Sequence, residues 1–73
     1  MKTDETRKRL KRMGEAIRDE RRAQNLSQKM LGNMIGTSQG YVSELENGVF
    51  DISVGRLLKI AEALDVDPGN FLR

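Results

Sequence analysis

Seventy-three residues with 37% apolar and 33% charged side chains make one small domain with a modest core and no room for a separate catalytic or sensor module. The absence of Cys and His excludes disulfides, thiolate sites and the usual zinc ligands, so no metal, no cofactor and no enzymatic activity is expected, and a reducing cytoplasm is the expected location. The net charge of +2 is unevenly spread: residues 1–12 hold Lys2, Arg7, Lys8, Arg9, Lys11 and Arg12 against Asp4 and Glu5, and the rest of the chain is net negative.

Residues 1–9 read as a basic arm or a helical extension, and residues 10–73 as the folded domain. A basic arm suits a polyanion, because each neutralised phosphate releases counterions; a merely solvated tail accounts for the charge equally well. No run approaches the roughly 18 apolar residues of a membrane span, and the charged N-terminus holds no signal-peptide segment, so neither a membrane partner nor secretion is expected.

Leu10, Met13 and Ile17 recur at i, i+3 and i+7 and predict a first helix running to about Ala23. After Gln24-Asn25, Ser27 is placed to cap a second helix carrying Met30, Leu31, Met34 and Ile35 on one face. Gly36 stops it and Thr37-Ser38 supplies the next cap, and two helices joined so tightly must cross steeply. A third helix, from about Gln39 to Glu46, stops at Asn47-Gly48, and Phe50 is expected to plug the core from a loop. Ser53 caps a fourth helix with Val54, Leu57, Leu58, Ala61 and Leu64 inward. Asp67-Pro68 opens a short fifth helix over residues 68–72 bearing Phe71 and Leu72. The fold class is therefore all-α, a compact bundle of five helices.

On a wheel of the third helix, Gln39, Gly40, Ser43 and Glu44 fall within a sector of about 140°. Val42 and Leu45 lie opposite. The apolar side can dock while the polar side faces out, and the exposed residue types suit base edges: Gln bonds adenine bidentately, Glu accepts from the cytosine amino group, and Gly permits close approach. An ordinary amphipathic helix with a solvated face has the same pattern.

The window from Gln28 to Asn47 resembles the helix-turn-helix of the lambda repressor and Cro family, also called the XRE family. Gly32, Gly36, Val42 and Leu45 match its small, turn and aliphatic positions. Leu26-Ser27-Gln28, Leu45-Glu46-Asn47-Gly48 and Leu57-Leu58-Lys59-Ile60-Ala61-Glu62-Ala63-Leu64 look like further signatures, so the similarity covers roughly residues 13 to 72.

The resemblance implies roles position by position. Ser38, Gln39, Gly40 and Glu44 match positions that touch bases. Gln28 matches a residue that bonds a backbone phosphate, and Thr37, Tyr41, Ser43 and Asn47 sit where phosphate contacts occur, although Tyr41 could equally pack against the first helix. Arg21 and Glu46 match a structural ion pair. Two features depart from the pattern: Gly32 replaces the more usual alanine, at roughly 1 kcal/mol of helix propensity, and Glu44 places a carboxylate near phosphates, where it is repelled unless a cytosine amino group or a neighbouring base receives it.

The implied function is sequence-specific binding of double-stranded DNA by a small transcriptional regulator, usually a repressor, acting as a homodimer on a pseudo-palindromic operator and held to the nucleoid while bound. Val66, Phe71 and Leu72 are the candidate dimer surface, with core packing as the competing role for Phe71. Phage-type repressors, restriction-modification controllers and antitoxins are the matching subtypes, the last of which leaves a toxin or another regulator open as a protein partner. The alternative is a protein-interaction adaptor that keeps the fold without binding DNA, favoured by the acidic balance outside the arm.

Overall fold

A computed structural model describes residues 3–73 and is all-α, with four α-helices and one 3₁₀ turn among the described residues. Helix α1 spans Asp4–Ala23, α2 Gln28–Ile35, α3 Gln39–Glu46 and α4 Val54–Leu64. The 20 residues of α1 correspond to about 30 Å of helix, close to the molecule's longest dimension of 32 Å.

Every helix begins where a hydroxyl satisfies an orphan backbone donor. Thr3, Ser27, Ser38 and Ser53 accept from the N–H groups of Thr6, Met30, Tyr41 and Arg56, respectively. In α1 the acidic Asp4 and Glu5 occupy the first turn and Arg21 and Arg22 the last, complementing the helix dipole. Residues 4–9 are thus the first turns of α1; Met1 and Lys2, the start of the basic stretch, lie outside the described residues.

The core gathers Met13 and Ile17 of α1, Leu31 and Ile35 of α2, Val42 and Leu45 of α3, and Leu57, Ile60, Ala61 and Leu64 of α4. Phe50 packs against it from the α3–α4 loop. Three expectations need correction. Met30 and Met34 are each 47% exposed, because only Leu31, Gly32 and Ile35 of α2 face its neighbours. Val54 and Leu58 are also exposed, and Ile60 takes an inward place: the stripe is Leu57, Ile60, Ala61 and Leu64 at i, i+3, i+4 and i+7, while Val54 and Leu58 fall on its flank.

The third correction is the fifth helix. Pro68–Phe71 is a four-residue 3₁₀ turn, too short to close a run of α-helical bonds; Asn70 N–H bonds Asp67 O and Leu72 N–H bonds Gly69 O, each three residues back. It still starts as a helix would, with Asp67 accepting from Gly69 N–H and proline in the first turn. The turn packs on α1 and α4 and buries Phe71.

Candidate nucleic-acid interface

The α2–α3 connection is three residues long and depends on two glycines. Gly36 adopts φ +74°, a left-handed conformation that costs glycine nothing sterically. A Cβ on Gly32 would stand 2.9 Å from the Thr37 carbonyl oxygen and 3.1 Å from that of Ser38, so the departure from alanine lets the turn close directly onto α2. Thr37 N–H then bonds Gly32 O at 2.8 Å.

The far end of α3 is held by charge. Arg21 of α1 meets Glu46 in a two-bond fork, Nε to Oε2 at 2.7 Å and Nη2 to Oε1 at 2.9 Å, with side chains only 7% and 2% exposed. Arg21 Nη1 donates to Leu26 O at 2.7 Å, and Gln28 Nε2 donates to Glu46 Oε1 at 3.1 Å. One carboxylate thus joins the end of α1, the start of α2 and the end of α3. The hydrogen bond from Arg21 to Glu46 raises the Arg21 pKa above its ordinary value, outweighing the burial that opposes it. Directly beside this network α1 and α3 touch backbone to backbone: a Cβ on Gly14 would lie 2.5 Å from the Glu46 carbonyl oxygen.

The flank of α3 is held by rings. Tyr41 is half-buried, its ring 5.1 Å from that of Phe50 and 5.0 Å from the Arg56 guanidinium of α4. Its ring partners are thus Phe50 and Arg56.

With its end and flank fixed, α3 leaves one face open. Ser38, Gln39, Gly40, Glu44 and Asn47 are exposed, and Thr37 and Ser43 half-buried. A Cβ on Gly40 would meet nothing closer than Ser38 Oγ at 3.8 Å, so its missing side chain flattens the surface and serves no packing need. Two hydroxyl and amide groups of the set have local partners: Ser38 Oγ accepts from Tyr41 N–H and Asn47 Nδ2 donates to Ser43 O, both at 3.0 Å. Gln39 and Glu44 extend beyond them as the two long polar side chains of the face.

At the opposite end, Phe71 is 3% exposed and belongs to the core, and Val66 is half-buried against the same core. Leu72 is 63% exposed, at the edge of a groove of about 200 Å³ floored by Leu10, Met13 and Phe71.

Gly14 and Arg56 also help to set the placement of α2 and α3, and the sequence reading does not single them out. An isolated glycine within an otherwise strong helix pattern is the signal that could have marked the first; nothing in the sequence points to the second.

A family model described as helix-turn-helix matches residues 17–71. The HTH-type transcriptional regulator y4wC of Sinorhizobium fredii is 42% identical over 59 residues, covering 81% of this chain and 41% of that protein. The ImmF control region 10 kDa protein of Bacillus phage phi105 is 33% identical over 57 residues, 78% of this chain and 63% of its own length. The chain thus spans less than half of the Sinorhizobium relative. Among solved structures, the restriction-modification controller protein C.AhdI from Aeromonas hydrophila superposes with a TM-score of 0.84 at 33% identity, covering 94% of this chain and 99% of that one. The clp gene regulator ClgR from C. glutamicum gives a TM-score of 0.80 at 30% identity, covering 88% and 82%.

Proposed function

Because the chain belongs to the helix-turn-helix family of DNA-binding transcriptional regulators, we propose that it reads a pseudo-palindromic operator as a homodimer and represses transcription by occupying it. The observation that carries this reading is the open polar face of α3, fixed at its end by Arg21 and Glu46 and at its flank by Tyr41. A helix held this rigidly can be pressed into the major groove without losing its register against the body.

In this reading Ser38, Gln39, Gly40 and Glu44 address base edges. Gln28, Thr37, Tyr41, Ser43 and Asn47 address phosphates, which set register and orientation. Gln28 serves twice, because a side-chain amide carries two N–H donors: one steadies Glu46, and the second is left for a phosphate. The basic residues of α1 add a sequence-independent attraction. Leu72 is the exposed apolar residue around which a second copy would pack, with Val66 at its margin. Among subtypes, the end-to-end likeness to a restriction-modification controller favours that group.

Selection from a randomised duplex pool at near-physiological salt tests the reading. Enrichment of a two-fold symmetric site with half-sites about 34 Å apart supports a dimeric, base-reading regulator. A folded protein that enriches nothing would leave the polar face as a docking surface for protein, and the adaptor role would replace this one.

A further inference from the structure

The first turns of α4 carry two cations that no part of the family reading uses. Arg56 leaves α4 on the flank facing α2; its Nη1 donates to the carbonyl of Ile35, the last residue of α2, at 3.0 Å, and its guanidinium lies over the Tyr41 ring. The bond to Ile35 uses one of the five N–H donors of the guanidinium. One turn on, Lys59 Nζ stands 4.0 Å from the position a Cβ would take on Gly36. Two positive charges therefore sit at the C-terminal end of α2, beside the α2–α3 turn.

The length of α2 gives this placement its meaning. Eight residues span about 12 Å, about the width of the major groove of B-form DNA. Gln28 stands at one end of that span and Arg56 at the other. When α3 enters the groove, α2 bridges above it, and its two ends reach toward the phosphates of the two opposite strands. A guanidinium suits the second position better than an ammonium: it presents five donors in a planar fork, so one can hold the Ile35 carbonyl and the face can rest on Tyr41 while others remain for an oxyanion.

We propose that Arg56 is a DNA-backbone anchor, holding a phosphate across the major groove from the one addressed by Gln28, with Lys59 strengthening the positive field at that edge. This rests on the DNA-binding reading above. The competing role is purely internal, two cations complementing the negative end of the α2 dipole.

The two roles separate in salt dependence. On the selected duplex, Arg56→Gln should lower the slope of log affinity against log salt by about one for each protomer bound, and weaken all base variants of the site by the same factor. Arg56→Lys, which keeps the charge, should retain most of the slope. An Arg56→Gln protein that is folded by circular dichroism and keeps the parental slope overturns the proposal. The unaltered chain gives a second measurement free of any folding effect: duplexes with single methylphosphonate substitutions should reveal two clusters of sensitive phosphates, one on each strand bordering the groove, and a single cluster on one strand overturns the proposal as well. If the unaltered chain selects no duplex, the function itself falls, which is distinct from tight binding with an unchanged slope.

Discussion

Helices α2 and α3 begin alike and are held by different means. Each has eight residues, each opens on a serine whose hydroxyl accepts from the N–H three residues on, and each buries three of its residues. The buried set of α2 is Leu31, Gly32 and Ile35, without charge, and Met30 and Met34 spill onto the surface. The buried set of α3 includes Glu46, fixed by Arg21 and Gln28, and its flank rests on a stack of Tyr41, Phe50 and Arg56. The buried side of α2 is anchored by apolar contact. A helix that must present a polar face needs anchors at its edge and end, and directional bonds supply them without spending the face.

The largest test of this contrast is Arg21→Ala. It leaves the Glu46 carboxylate buried without its partner, a change worth about 3–5 kcal/mol, which is a large part of the roughly 5–15 kcal/mol that stabilises a typical domain. Thermal unfolding followed by circular dichroism should show a steep fall in melting temperature. Leu31→Ala, the counterpart in α2, should cost about 2–5 kcal/mol through its cavity alone. A parental melting curve for Arg21→Ala would mean that apolar contact holds both helices and that the contrast is false.

The glycines carry the same contrast at smaller amplitude. Alanine at Gly14 drives a methyl to 2.5 Å from backbone that cannot step aside, so α1 must part from the end of α3; overpacking of this kind costs roughly 1–3 kcal/mol. Alanine at Gly32 is less crowded, at 2.9 Å from the Thr37 carbonyl, and regains about 1 kcal/mol of helix propensity. Chemical denaturation of the pair should therefore place Gly14→Ala clearly below Gly32→Ala, and the opposite order would show that the turn is the tighter of the two contacts.

Function is tested at similar size but in a different quantity. Gln39→Ala should leave the melting temperature unchanged, as exposed substitutions do within about 0.5 kcal/mol, and cost about 1–3 kcal/mol of DNA affinity at one base position per half-site. A uniform loss over all sequences would move Gln39 to the phosphates.

Much of this architecture is legible in the sequence because its cues are local. Ser27, Ser38 and Ser53 announce their helices by side-chain chemistry that acts within three residues, and Gly36 and Asp67-Pro68 mark their turns in the same way. Periodicity then finds Ile17, Leu31, Ile35, Val42 and Leu45. It fails at Met30, Met34, Val54 and Leu58, since an apolar stripe defines a direction on a helix but not how far around it a neighbour reaches. In so small a domain the covering runs out early. Gly14 and Arg56 act on partners at least 21 residues away in the chain, Glu46 and Ile35, and such pairings exist only once the helices have crossed. The 3₁₀ turn differs from the expected helix by a single step of bond register, which no composition rule resolves over four residues.

Glu44 carries the smallest expected effect and the finest distinction. It is exposed on the open face of α3, so Glu44→Ala should change stability by no more than about 0.5 kcal/mol. In the DNA-bound arrangement proposed above its charge would lie near phosphates, so removing it should raise affinity for DNA of arbitrary sequence, more at low salt, since the repulsion is screened over about 10 Å at 0.1 M. Specific affinity separates two arrangements. If the carboxylate accepts a hydrogen from a cytosine amino group, the alanine variant loses its preference at that one base pair while gaining non-specific affinity, so the ratio of the two falls from both sides. If it points away from the bases, both affinities rise together and the ratio holds. Parallel titrations of the selected duplex, a variant with that cytosine replaced, and an unrelated duplex distinguish these results. Only the first would make Glu44 a reading residue; the second would make it a brake on indiscriminate binding, placed on the one face of the helix that its anchors leave free.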